Sequence, residues 1–491
     1  MSARREVFYV SALLLATLGL RLWNLDQPIV ENYVGRQIPT AMVARNLDRG
    51  SGFLHPQLDT GPFPNLFVVE PPIYAAVVVL VKRLTGLPIR QSGRVASALA
   101  TVLAGWGLYG LVKRREGVGV ALAALGALGA LPLTIRYGRA VQPDMLMLGL
   151  IVAGLRLIDT DESDGGARRF AFGWVLLALG LATKILSVWV LVPAMFLIHG
   201  DRYKMRRGLL AAAVVPALAW YALAAGLLAH SPGSAASIDN GRIWLDVLVP
   251  SALFRRETYE TVGRFVAWRS FTPAWPLAAW GFWRLRDDRW FWRAWAIASA
   301  SALLVLAGKL HHEYYLLSVA PLVALGYGRT IATIPNRRWG VLLAVFLVVL
   351  SFFVTHSTWR TPREWTPIAA ASREIRRIVP KNALLAAPEA VLFASDRRGC
   401  RLEFSKRSVH RAAGEWRRDV EIETPEALVT FYRSQGAHFV ADLTLDDEPP
   451  DRRAFHDWIR ENFHVLIDRP GLLLAELEGR ATSPGGIDAE N

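Results

Sequence analysis

Residues 25–72 read LDQPIVENYVGRQIPTAMVARNLDRGSGFLHPQLDTGPFPNLFVVEPP, a polar, proline-rich stretch between apolar runs. It carries Glu31, Arg36, Gln37, Asp59 and Glu70 and ends in Glu70-Pro71-Pro72-Ile73-Tyr74. Joining two helices needs far fewer residues, and long charged loops on a compact scaffold tend to carry function. The preceding apolar run, Val7–Trp23, follows Arg4 and Arg5 and lacks a small-residue cleavage site. It is therefore read as a retained helix with its N-terminus in the cytoplasm.

Most of the remaining chain is apolar. With 53% hydrophobic residues, a mean hydropathy of +0.26 and 18 Trp in 491 residues, the composition suits a polytopic membrane protein rather than one soluble core. The net charge of +14 does not imply nucleic acid. Nearly all Arg and Lys clusters fall in short loops between apolar runs, where the positive-inside rule and anionic lipid headgroups account for them. The single Cys400 excludes an intrachain disulfide and a cysteine-based metal cluster.

Requiring roughly 17 to 25 apolar residues per span, with shorter runs admitted where the bilayer thins, gives eleven. They are Val7–Trp23, Arg94–Val112, Val118–Ile135, Asp144–Ile158, Phe170–Thr183, Ile185–Ile198, Leu209–Ala229, Ala267–Trp283, Phe291–Gly308, Tyr314–Gly328 and Trp339–Thr355. The run Ile73–Leu84 ends at Lys82-Arg83 and is read as interfacial or re-entrant. Leaving it out places Lys113-Arg114-Arg115, Arg168-Arg169, Arg202 to Arg207, Arg284 to Arg289 and Arg337-Arg338 on the cytoplasmic side. The same parity gathers the loop 25–72, Arg136 to Asp144, Lys184, the Ser231–Val266 loop and Lys309 to Tyr315 on the outer face.

From about Thr361 the chain becomes charged and alternates helix signals with short apolar strands, expected at Ala383–Ala387, Ala437–Leu443, Phe463–Ile467 and Leu472–Ala475. Thr424-Pro425 starts a helix that Gly436 ends. The expected organisation is a membrane domain over 1–360, a small extracytoplasmic α/β domain over 361–480 and a disordered tail over 481–491. His410, His438, His456 and His464 are read as surface residues.

Several pieces, in order, resemble a known family. These are Arg21-Leu22-Trp23 at the end of the first helix, Glu31, the segment Arg36-Gln37 through Ala44-Arg45-Asn46, Glu70-Pro71-Pro72, Arg139 through Pro143-Asp144, Thr183-Lys184, and Tyr315 through Pro321. Together they look like the membrane-embedded GT-C glycosyltransferases, in the branch of the protein O-mannosyltransferases and lipid A aminoarabinose transferases. The resemblance implies a GT-C-like α-helical fold in the cell (inner or plasma) membrane. It also implies transfer of a sugar from a polyprenyl-phosphate carrier to a lipid, glycan or protein acceptor outside the cytoplasm. The family commonly places an Asp-Glu pair in the first loop, where this chain has Val30-Glu31. Either Glu31 takes the acid/base role alone, or the role moves to Asp59 or Glu70, or the protein is a divergent member with reduced activity.

The chemistry needs a base for the acceptor hydroxyl and positive charge for the departing phosphate. Glu31 is assigned as base and Asp144 as a second acidic residue that orients acceptor or metal. Lys184 and Arg139 are candidates for the phosphate, since ionisable groups at membrane depth are costly and functional by default. Arg36, Gln37, Asp59, Glu70 and Tyr315 complete the expected substrate contacts. His311-His312-Glu313 could join Glu70 to hold a divalent ion. Two other classes fit a polytopic chain: a secondary transporter, which should show two matching halves with broken helices, and a non-catalytic scaffold that binds partners through its C-terminal domain. No internal repeat is present, and the outer-face grouping of Glu31, Asp144 and Lys184 argues against a scaffold.

Eleven spans from a cytoplasmic N-terminus end outside. A reporter active only in the cytoplasm, fused after Leu474, is therefore expected to be silent, and activity of that fusion would overturn the parity argument.

Overall fold

The computed structural model describes residues 1–30, 34–159, 166–198, 203–230, 250–285, 290–417 and 419–479. Glu31, much of the Ser231–Val266 loop and the tail expected over 481–491 lie outside them.

The first half is helical: α1 (Ala3–Leu22), α2 (Val34–Asp48), α3 (Ile73–Thr85), α4 (Ile89–Glu116), α5 (Val118–Ala130), α6 (Pro132–Tyr137), α7 (Asp144–Ile158) and α8 (Gly166–Thr183). Helix α3 has 13 residues and closes on Gly86 in the left-handed conformation, matching the short run expected before Lys82-Arg83. Pro132 splits the expected span Val118–Ile135 into α5 and α6, because a proline can open a helix but not continue one. Ile185–Ile198 is not a regular span. It forms a 3₁₀ segment, Ile185–Val190, and a five-residue α-helix, Leu191–Met195. Among the described residues, three helices are long and apolar enough to cross a membrane: Ile89–Glu116, Lys204–Ala229 and Arg337–Trp365.

Small residues let the central helices approach. A Cβ on Gly149 of α7 would lie 2.5 Å from the Ala100 carbonyl oxygen of α4, and Gly154 of α7 and Gly173 of α8 face each other's backbone under the same constraint. This is how apolar helices gain contact where lipid offers no competing hydrophobic drive. Because α7 and α8 pack tightly as neighbours, the start of α7 and the residue just past the end of α8 meet at one end of the pair. Those positions are Asp144 and Lys184.

The C-terminal part is a five-stranded sheet of β1 (Leu384–Ala387), β2 (Gly399–Arg401), β3 (Ala437–Asp442), β4 (Phe463–Arg469) and β5 (Leu472–Gly479), in the order β2-β1-β3-β5-β4. β2, β1 and β3 run parallel, and β5 is antiparallel to both its neighbours. Four strands stand where alternation places them, whereas the three-residue β2 gives no periodic signal. Thr424 caps the helix Pro425–Ser434, its hydroxyl accepting from the Ala427 amide at 3.3 Å. Leu385, Ala387, Phe439, Ala441, Leu443 and Leu474 belong to the same apolar core as the membrane helices. The opposite sheet face, with Ala386, Val440, Leu473 and Ala475, buries a second core under the helices Lys406–Trp416, Pro425–Ser434 and Pro450–Asn462.

His456 is not a surface residue. It is fully buried, with Nε2 3.0 Å from Asp442 and Nδ1 2.9 Å from Glu448, while Arg452 donates to both oxygens of Asp442. Burial works against the imidazolium, but the bonds and charges of Asp442 and Glu448 outweigh it and hold the His456 pKa above its ordinary value. A raised folded-state pKa adds stability that is complete below the unfolded value near 6.5 and is lost as pH rises through the folded value. Thermal unfolding of the full chain in detergent is therefore expected to shift downward as pH rises through that window. His456→Gln should flatten the dependence, and an unchanged slope in that variant would refute the assignment.

Candidate active site

Asp144 is the first residue of α7 and follows Pro143; Lys184 follows Thr183, the last residue of α8, in extended backbone. Their side chains meet at 2.5 Å between Lys184 Nζ and Asp144 Oδ1, both nearly out of solvent at 10% and 2% exposure. The second oxygen, Asp144 Oδ2, is buried without a hydrogen-bond partner. The ammonium also sits 4.2 Å from the centre of the Tyr314 ring. Asp144, Lys184, Tyr314 and Tyr315 form the polar wall of a narrow cleft, whose other walls include Met147, Trp189, Leu303 and Leu306.

A second ion pair stands beside the first. Arg36, in the first turn of α2, donates to Glu70 at 2.6 Å, and its guanidinium carbon lies 5.8 Å from the Phe67 ring centre. Burial disfavours its charge, yet Glu70, and behind it Tyr314, Asp144 and Tyr315, hold the guanidinium above its ordinary range. Arg36 Nε has no partner. The site thus presents two cations, each with one carboxylate, close to Tyr314 and Tyr315.

A run of rings leads into it. The His311 and His312 rings are 4.0 Å apart, His312 stacks on Tyr314 at 5.2 Å, and Tyr314 meets Tyr315 at 4.5 Å. Burial first, then His311, Lys184, Lys309 and Arg36, push the His312 pKa down to about 3, so this imidazole is neutral. Glu70, His311 and His312, expected as ligands of a divalent ion, are not gathered into one cluster among the described residues. Glu70 is taken by Arg36, and among the described residues no three His, Cys, Asp or Glu side chains converge. Glu313 is buried and receives Arg136 and Arg269, the latter at 3.0 Å. That cluster fixes the segment carrying Tyr314 and Tyr315 to α6. Its arginines lie among residues that charge patterning alone assigns to interfacial loops.

Other expected contacts are structural. Arg139 is fully buried and donates to the backbone oxygens of Trp23 at 2.6 Å and Asn24 at 3.3 Å and to the Gln27 side chain at 2.8 Å, so it ties the end of α1 rather than joining Lys184. Gln37 accepts from the Val141 amide at 2.8 Å and fastens α2 to the turn before α7. Asp59 is gripped by Arg45 at 2.5 Å and Asn46 at 3.2 Å. Of the expected residues, the structure brings Arg36, Glu70, Asp144, Lys184 and Tyr315 together; Asp59, Gln37 and Arg139 lie in the scaffold around them.

A family model described as dolichyl-phosphate-mannose-protein mannosyltransferase matches residues 69–232. No curated protein sequence matches the chain. Among solved structures, the chain is similar to ArnT from Cupriavidus metallidurans bound to undecaprenyl phosphate, with 16% identity over 97% of this chain and 98% of that one and a TM-score of 0.66. It is also similar to the Archaeoglobus fulgidus oligosaccharyltransferase in complex with Zn and sulfate, at 12% identity, 93% and 71% coverage and a TM-score of 0.56. A third is the arabinofuranosyltransferase AftD from Mycobacteria, at 14% identity, 97% and 40% coverage and a TM-score of 0.52. The chain thus has the GT-C-like fold, and the resemblance to membrane-embedded GT-C glycosyltransferases carried by its motifs is matched by both the family model and the solved structures.

Proposed function

We propose that the protein is an integral-membrane glycosyltransferase that moves a sugar from a polyprenyl-phosphate carrier to a lipid, glycan or protein acceptor on the extracytoplasmic face, with an outer C-terminal domain. The observation that carries this is the buried Asp144–Lys184 pair at the polar wall of a mostly apolar cleft, with Arg36–Glu70 beside it. A lipid-linked phosphate presents one small anion and a long apolar chain, and such a cleft offers matching surfaces.

In the proposed reaction the acceptor oxygen bonds to the anomeric carbon as its proton passes to a carboxylate, and the bond from that carbon to the phosphate oxygen breaks. The electrons of that bond leave on the lipid phosphate. Lys184 and Arg36 supply positive charge where this negative charge grows. Asp144 holds the ammonium through one oxygen and keeps the other for a substrate hydroxyl. Glu31, three residues before α2, is the proposed base. The fold shared with a structure that holds undecaprenyl phosphate supports the choice of donor class.

Lys184→Ala is expected to weaken binding of undecaprenyl phosphate by about tenfold to a hundredfold, since a charge-assisted contact contributes roughly 1.5 to 3 kcal/mol. Lys184→Arg should restore only part of it, because a planar fork does not occupy the place of an ammonium. Unchanged affinity in the alanine variant would remove Lys184 from the phosphate site.

Glu31→Gln is expected to bind the same lipid phosphate normally yet transfer sugar at least about a hundredfold more slowly, the usual contribution of a positioned general base. The measurement is transfer from a radiolabelled polyprenyl-phosphate sugar into native membranes. Near-normal transfer by this variant would place the base elsewhere.

A further inference from the structure

The two polypeptide segments that end in the Arg36–Glu70 pair are both held, at their far ends, by one turn of the C-terminal part. The first is α2. Arg36 lies in its first turn, Arg45 in its last, and Arg49 just beyond. Asp396 receives Arg45 at 3.0 Å and Arg49 at 2.6 Å, and Arg45 also donates to the Phe393 carbonyl at 2.7 Å. The second is the outer loop that runs to Glu70. Gly399, three residues past Asp396, donates to the Asp59 carbonyl at 2.9 Å and accepts from the Gly61 amide at 2.8 Å, so Thr60 pairs with the start of β2 in one isolated parallel bridge. Asp59 closes the circuit by binding Arg45 of α2.

One exposed ion pair contributes little. This arrangement differs because a single carboxylate takes two arginines from one helix end while backbone bonds fix the neighbouring loop. The helix needs such an anchor. Pro39 inside α2 has no amide to donate, which removes one helical bond from the turn that carries Arg36. A helix of 15 residues transmits the position of its anchored end over roughly 22 Å.

We infer that the turn 396–399 sets the position of the Arg36–Glu70 pair, and that Asp396 is a positioning residue for binding the lipid phosphate. This rests on the reading of Arg36 as a phosphate ligand. The C-terminal part then acts as a clamp on the site rather than as an independent partner-binding module.

The test is binding of undecaprenyl phosphate to the full chain in nanodiscs. Arg36→Ala is the control for the reading itself; if it binds as the native chain does, Arg36 leaves the phosphate site and this inference falls with it. With Arg36→Ala weakened, Asp396→Ala is expected to lose about tenfold or more in affinity, the scale of a misplaced ligand, and Asp396→Glu to regain most of it. Native affinity in Asp396→Ala overturns the inference while leaving the reading of Arg36 intact. A second variant separates position from general stability. Arg49→Cys with Asp396→Cys, compared before and after joining by a short bis-maleimide, keeps one sequence and changes only the link; the native Cys400 is buried. Affinity is expected to return on cross-linking, and equal affinity in both states overturns the inference.

Discussion

A charge among apolar helices has no water to turn to, so it must find a partner or not be charged. Much of the structure around the end of α1 and the candidate site follows from that constraint. Arg21 solves it with the carbonyls of Thr17 and Gly129, Arg94 with those of Leu25, Gln27 and Pro28, and Arg139 with those of Trp23 and Asn24. Arg94 and Arg139 bind the irregular backbone that follows α1, and Arg21 ties the last turns of α1 to the end of α5. Two other cations, Lys184 and Arg36, are instead matched to carboxylates that retain an unused oxygen or sit at the edge of a cleft. The contrast between a cation spent on carbonyls and one paired with a carboxylate beside open space separates scaffold from site.

Part of this was legible in the chain and part was not. The bounds of α7, Asp144–Ile158, follow from an apolar run opened by Pro143 and an acidic first residue, a pattern that is local. The strands β1, β3, β4 and β5 follow from alternation. Arg139 was read as a phosphate candidate because its type and depth suit that role. Its actual partners are backbone oxygens and a glutamine amide far away in sequence, and a carbonyl carries no signal in the residue type. His456 was misread for the same reason: Asp442 and Glu448 look like ordinary surface acids until the fold closes around them. Ile185–Ile198 was apolar enough for a span, but length and composition do not reveal that it winds as 3₁₀.

The residues expected to hold a metal are set apart for a reason that generalises. The adjacent rings of His311 and His312 lie tilted against each other at 4.0 Å, and His312 stacks on Tyr314. Glu313, next in line, turns into the core to meet two arginines. One short polar run therefore divides into a neutral aromatic ledge and a buried anchor, and the two tyrosines that follow inherit their place from the anchor.

The length of α7 has a consequence for how the membrane meets the site. Its 15 residues make a rod of roughly 22 Å, against a hydrocarbon layer of roughly 30 Å. The residue after its last turn, Asp159, is bound to Arg115 at 2.8 Å and lies near Arg114 at 3.5 Å, which secures that end among polar groups. In the proposed topology, with one end held at a polar boundary, a helix of this length falls short of the opposite one and would leave Asp144 beneath the level of the surrounding headgroups. A lipid-borne sugar meeting it there would be drawn down into the protein, with its tail still lying among its neighbours in the bilayer.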